Sequence, residues 1–169
     1  YALAGEGRGH ATRACTIVES LRQEHRVVLF APEHAYEMLS ERYAGTDVEV
    51  EEIEGLCFRY DARGRMAKFA TAKAALGYLW RLPRLLKRLG RRIEQDRPAI
   101  VLTDFDPALP RAARRAGIPY LSVDHQHFLL VSDLSDLPLR QRVWAAFMGL
   151  VVKAYYCRQA KTVCSSFYF

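Results

Sequence analysis

Tyr1-Ala2-Leu3-Ala4-Gly5-Glu6-Gly7-Arg8-Gly9-His10 opens the sequence and decides how the rest is read. Four apolar residues run into a glycine cluster, and a helical pattern follows with Ala14, Ile17, Val18 and Leu21 on one face. A buried strand turning through glycine into a helix is the first half of a βαβ unit. Glycines there permit a tight turn, and helix-start amides hold an anion or a developing negative charge. The spacing G-x-G-x-G-H matches neither the G-x-G-x-x-G of dinucleotide sites nor the Gly-Lys-Ser/Thr of triphosphate loops, so no cofactor is expected.

Outward from this stretch the alternation repeats. Residues 26–31 read as a strand, 33–42 as a helix and 47–51 as a strand, with an irregular segment over 53–64. A long helix is expected over 66–96, kinked or split by Pro83, whose ring removes an amide hydrogen. Leu82, Leu86, Leu89 and Ile93 make its apolar stripe. Residues 100–103 and 120–123 read as strands flanking a helix over 107–116 that Gly117 stops. Residues 125–138 read as a loop, 139–159 as a helix and 162–164 as a last strand. The expected fold class is α/β, a Rossmann-like three-layer domain with a mostly parallel sheet, and residues 1–169 are read as one domain. The start on Tyr1 and the end on Phe167-Tyr168-Phe169 suggest a domain cut at both ends.

Composition narrows the class further. The chain has 169 residues, half of them hydrophobic, and a net charge of +6, as an ordinary globular domain does. Its longest apolar runs fall far short of the ~20 residues that span a bilayer. Cys15, Cys57, Cys157 and Cys164 show neither a C-x-x-C pair nor zinc spacing. Reduced cysteines and a cytoplasmic location are expected, with the inner face of a membrane as a peripheral site.

Ligands of an open parallel sheet gather at the carboxyl ends of its strands. Three polar clusters fall there: residues 5–10, residues 103–106 with Asp104 and Asp106, and Asp124-His125-Gln126-His127. In the first, Gly5, Gly7, Arg8 and Gly9 are candidate substrate contacts. His10 has the chemistry of a general base, since imidazole titrates near working pH; the alternative is a plain helix-start residue. In the third, two histidines spaced 1,3 in an extended segment point to one side, for acceptor contact or for structural hydrogen bonding. No third ligand accompanies them, so no metal is expected.

Arg81, Arg84, Lys87, Arg88, Arg91 and Arg92 form a basic stripe with no acidic residue among residues 81–92. It reads either as the solvated face of an amphipathic helix or, with Tyr78 and Trp80, as a contact for an anionic membrane. Nucleic acid is not expected as a partner, because no reader motif accompanies the charge.

Residues 5–14, Asp104-Phe105-Asp106-Pro107 and Gly117-Ile118-Pro119 leading to Asp124-His125-Gln126-His127 together resemble a group of bacterial and archaeal GT-B glycosyltransferases. These are related to MurG, the lipid-linked N-acetylglucosaminyl transferase of peptidoglycan synthesis, and more distantly to the UDP-glucuronosyltransferases. The resemblance implies two facing Rossmann-like domains. The present one would bind a small-molecule or lipid-linked hydroxyl acceptor, and an absent carboxyl-terminal domain would bind most of the nucleotide-sugar donor. It implies inversion at the anomeric carbon with His10 as base, oriented by Asp104 or Asp106. The glycine pattern departs from that of the peptidoglycan transferases. A non-catalytic module for a phosphorylated ligand, and half of a sugar-nucleotide epimerase, are the alternatives.

Overall fold

The computed structural model describes residues 1–5, 7–56, 59, 61, 63–64, 67–156 and 158–165. Glu6, Cys57, Cys157 and the aromatic end of the sequence lie outside the described residues. In chain order the elements are β1 (Ala2–Leu3), α1 (Gly7–Leu21), β2 (Val28–Ala31), α2 (Glu33–Arg42), β3 (Glu49–Glu52), α3 (Lys68–Asp96), β4 (Val101–Asp104), α4 (Ala108–Arg115), β5 (Tyr120–Asp124), α5 (Phe128–Val131), α6 (Leu139–Tyr155) and β6 (Lys161–Cys164).

The six strands form one sheet in the order β3-β2-β1-β4-β5-β6, and every pairing is parallel. Successive strand residues point to opposite faces, so the central strands feed two cores. Tyr1, Leu3, Leu29 and Ala31 pack with Ala14, Val18 and Leu39 of α1 and α2. Ala2, Phe30, Val101 and Tyr120 pack with Leu86, Leu89, Leu109 and Val152 of α3, α4 and α6. This is the three-layer, Rossmann-like arrangement expected from the alternating pattern.

Several details differ from the sequence reading. Helix α1 begins at Gly7, so Gly7 and Gly9 belong to its first turn and only a short turn separates it from β1. Helix α3 runs unbroken through Pro83. Tyr78, Leu85, Leu86 and Leu89 are buried and Leu82 packs against the same core, so residues on both sides of the proline are anchored. That burial offsets the ~3 kcal/mol a mid-helix proline costs. The segment after β5 holds the short α5, and α6 ends at Tyr155, four residues earlier than its apolar pattern suggested. Helix α6 packs small residues inward, with Gly149 close enough to α5 that an added Cβ would lie 3.1 Å from Leu130 Cδ2.

Gly5 is fixed by space. A Cβ there would lie 2.8 Å from Pro32 Cγ and 2.9 Å from the Pro32 carbonyl oxygen, because the turn out of β1 crosses the end of β2. A Cβ on Gly9 would meet nothing within 4 Å. Gly5→Ala is therefore expected to lower stability by about 1–3 kcal/mol, the usual cost of overpacking. Gly9→Ala should be neutral or gain up to about 1 kcal/mol of helix propensity. Urea unfolding of the two variants beside the parent tests the pair; equal losses would refute the steric account of Gly5.

Candidate active site

The strand order reverses between β1 and β4, which pair at Ala2↔Thr103 and Leu3↔Asp104. The chain leaves both strands at their carboxyl ends, so the turns after Leu3 and Asp104 flank one crevice, the place where such sheets bind ligands. The amide of Ala4 donates to the Asp104 carbonyl at 2.9 Å and closes the seam. Immediately after it, Phe105 has a φ of 57°. A bulky residue in the left-handed region costs about 1–3 kcal/mol and persists only where its surroundings hold it. Here its ring stacks on Tyr155 at 4.4 Å.

Asp104 is fully buried at this crevice, and two side chains from α1 converge on it. His10 Nδ1 lies 2.8 Å from Oδ1. Arg13 donates from Nε to Oδ2 at 2.8 Å and from Nη2 to Oδ1 at 3.0 Å, a forked pair. His10 and Arg13 are three residues apart, hence on one helix face. An imidazole nitrogen 2.8 Å from a carboxylate oxygen must carry the proton between them, since two lone pairs would repel. Arg13 Nη2 also lies 3.4 Å from Nδ1 but holds only donors, so it cannot replace that proton. Nδ1–H therefore donates to Asp104, and in the neutral ring Nε2 is the nitrogen that carries the lone pair. The His10 side chain is 12% exposed, so the ring edge is reachable from the crevice.

Asp106 does something else. Its Oδ2 accepts the amides of Ala108 at 3.0 Å and Leu109 at 2.7 Å, capping α4. Burial pushes its carboxyl up to about 6, against the two amides, which lower it. Of the two aspartates read from the sequence, Asp104 meets His10 and Asp106 holds the helix start.

The cluster after β5 is a buried network. His127 has helical dihedrals, so the segment is a turn rather than extended, and the two histidines take different partners. His127 is 4% exposed, with Nδ1 2.7 Å from Asp124 Oδ2. Asp124 also accepts the His127 amide at 2.9 Å and the Ser122 hydroxyl at 2.5 Å. Burial opposes ionisation of Asp124, but these bonds outweigh it and hold its carboxyl below the usual range. His125 turns to the Ser165 carbonyl, with Nδ1 at 2.6 Å, and is half-buried, as is Gln126. Among the described residues, no group of three His, Cys, Asp or Glu is placed to hold a metal ion.

The basic stripe divides. Arg92 pairs with Glu49, Glu51 and Asp96, which joins α3 to β3, and Arg88 donates to the Glu52 carbonyl. These two are structural. Arg81, Arg84, Lys87 and Arg91 are exposed. Arg81 lines an open cleft of about 810 Å³ between α3 and the end of β3, together with Glu33, Glu54, Arg59 and Lys73. Further toward the start of α3, Phe69, Leu76 and Trp80 are 86%, 69% and 82% exposed. Arg8 is exposed beside Gly9 in the first turn of α1.

Arg13 and Ser165 are the members of the site that sequence reading passed over. Arg13 follows His10 at helical spacing, a signal that was present. Ser165 joins only through the sheet, as acceptor of Arg13 Nη1 at 2.9 Å.

Residues 1–169 match the family model described as glycosyl transferase family 1. No curated protein matches the chain. Among solved structures, LpCGTa in complex with UDP is similar at 14% identity with a TM-score of 0.55, over 90% of this chain and 43% of LpCGTa. MurG of Acinetobacter baumannii is similar at 17% identity with a TM-score of 0.52, over 96% of this chain and 44% of that protein. The chain thus spans less than half the length of each, and at these identities the likeness is one of fold.

The raised carboxyl of Asp106 has a signed consequence. Folding favours its protonated form, so the stability this one group contributes is fully present below the ordinary aspartate value and is lost as pH rises through about 6. Asparagine keeps an oxygen for the two amides without the charge. Asp106→Asn should gain up to about 3 kcal/mol over the parent above pH 7 and nothing near pH 4. Thermal melts across that range decide it, and a gain independent of pH would contradict the account.

Proposed function

Because the chain belongs to glycosyl transferase family 1, we propose that it is the acceptor-side half of a two-domain, inverting GT-B glycosyltransferase with His10 as the general base. The observation that carries this is the 2.8 Å contact between His10 Nδ1 and a fully buried carboxylate at the reversal of strand order. It fixes the tautomer and leaves a basic nitrogen at the crevice.

In this reading the acceptor hydroxyl gives its proton to His10 Nε2 as its oxygen attacks the anomeric carbon of the donor. The bond from that carbon to the nucleoside diphosphate breaks, the phosphate oxygen keeps the electron pair, and the anomeric configuration inverts. The imidazolium that forms faces Asp104. The amino end of α1 opens at the same rim, and its free amides favour negative charge on the reacting oxygens. Gly9 and Arg8 line the approach, with His125 and Gln126 on the β5 side. The nucleotide-sugar is assigned mainly to a second domain. In favour of this, the two solved relatives are each more than twice as long as the matched part, and one of them is a complex with UDP.

A membrane-bound or lipid-linked acceptor is the finer reading, and α3 supports it. Phe69, Leu76 and Trp80 fall on one exposed helix face, and Arg84, Lys87 and Arg91 continue that face toward the carboxyl end. Aromatic and aliphatic groups entering the headgroup layer beside cations is how interfacial helices bind anionic bilayers.

Two experiments on the full-length protein test these readings. His10→Ala and Asp104→Asn should lower kcat by about 10²–10⁴-fold with little change in acceptor KM, and Asp106→Asn should keep the parent rate. Turnover surviving in His10→Ala would remove the base. A parent that binds a phosphorylated ligand without turnover would favour a binding module, and sugar-nucleotide conversion without acceptor an epimerase. For the membrane, vesicles containing phosphatidylglycerol should retain the protein at low salt. Neutral phosphatidylcholine vesicles should not, and Phe69→Ser with Trp80→Ser should abolish retention. Equal retention by both lipids would count against it.

A further inference from the structure

We propose that Arg13 is the positioning residue of this site: its guanidinium locks the Asp104 carboxylate in register with the His10 ring and shares that carboxylate's charge. The proposal rests on the reading of His10 as the base. The geometry is specific. Arg13 meets both oxygens of Asp104, at 2.8 and 3.0 Å, and its remaining nitrogen, Nη1, donates to Ser165 Oγ at 2.9 Å. A planar fork held at three points cannot swing, so the carboxylate plane is fixed and the ring nitrogen has one place to donate. Lysine could supply the charge but not the plane.

The charge has its own consequence. A carboxylate with no exposed surface, facing only an imidazole, would draw a second proton onto the ring and occupy the nitrogen that must accept from the substrate. With Arg13 present, the carboxylate already faces a full cation. The guanidinium is suited to this: burial opposes its charge, but the bonds to Asp104 outweigh that and raise its affinity for the proton. The other titratable groups around the pair are Tyr1 just before β1, Asp124 at the end of β5, Tyr156 just after α6 and Cys164 on β6. Asp124 is already matched by His127 and Ser122, leaving Arg13 as the cation bonded to Asp104 among the described residues.

Arg13 also reaches across the sheet. Ser165, which it holds through Oγ, accepts His125 Nδ1 at its carbonyl. The base on α1 and the candidate acceptor contact after β5 are therefore joined through one guanidinium and one serine. A residue that only stapled α1 to β4 would need neither the fork nor this third bond.

The test is the pH profile of kcat/KM for the full-length enzyme with Arg13→Met and Arg13→Lys beside the parent. Arg13→Met should lose at least about 100-fold in kcat, the scale of a misoriented base, with acceptor KM within about threefold. Its acid limb should move to higher pH as the uncompensated carboxylate holds a proton on the ring. Arg13→Lys should restore the position of the acid limb while recovering only part of kcat, and it also serves if the methionine variant does not fold. Activity is counted per folded molecule from circular dichroism. A rate within twofold of the parent and an unmoved acid limb in Arg13→Met, or in Arg13→Lys a full recovery of kcat, would overturn the proposal. His10→Ala separates the failures: if it keeps turnover, the base assignment falls and this one with it, whereas an inactive His10→Ala beside an unaffected Arg13→Met overturns the role of Arg13 alone.

Discussion

A carboxylate with no access to water, Asp104, sets the terms for everything around it. An unpaired ion there would cost several kcal/mol, so the fold exists in this form only if cations or donors reach it. They come from α1, in the form of His10 and Arg13, which fixes both the rotation of that helix and its approach to β4. The glycine of the first turn is what lets α1 arrive, since Gly5 passes Pro32 with no room for a side chain. Sheet order, helix placement and a polarised histidine are in this sense one constraint.

The rim divides its labour among residues that look alike in the sequence. Asp104, Asp106 and Asp124 all end or follow strands, yet one faces the histidine, one caps a helix and one anchors a buried turn. The cations of α3 divide similarly: Arg88 and Arg92 tie the helix to β3, while Arg84, Lys87 and Arg91 stay on the surface. In each case partners distant in the chain make the difference, and burial decides whether a charge is spent on structure or left for a ligand.

Two of the non-glycine residues with positive φ lie at this rim, while Arg97 and Arg158 lie ahead of β4 and β6 at the opposite edge. Phe105 leaves β4 in the left-handed region at φ 57°, and Glu33 leaves β2 in the same region at φ 47°. These two strands flank β1. The sharp exits are what bring Asp104 and the Pro32 carbonyl close to the first turn, and the aromatic stack of Phe105 on Tyr155 holds one of them in place.

The alternation of short apolar runs with helical stretches was enough to establish the layers and the parallel sheet, because burial on both faces requires that periodicity wherever such a sheet forms. The glycine turn with its histidine was legible too, since turn chemistry and helix starts are local. Helix limits were less so: Pro83 reads as a break, and only packing by Tyr78 and Leu86 carries α3 through it. What the tertiary structure alone decided is pairing. His10 and Asp104 are 94 residues apart, and Arg13 and Ser165 are 152 apart. No local propensity encodes such contacts. They follow from strand order, which sets β1 beside β4 and β6 two strands beyond, and so determines which aspartate the histidine meets.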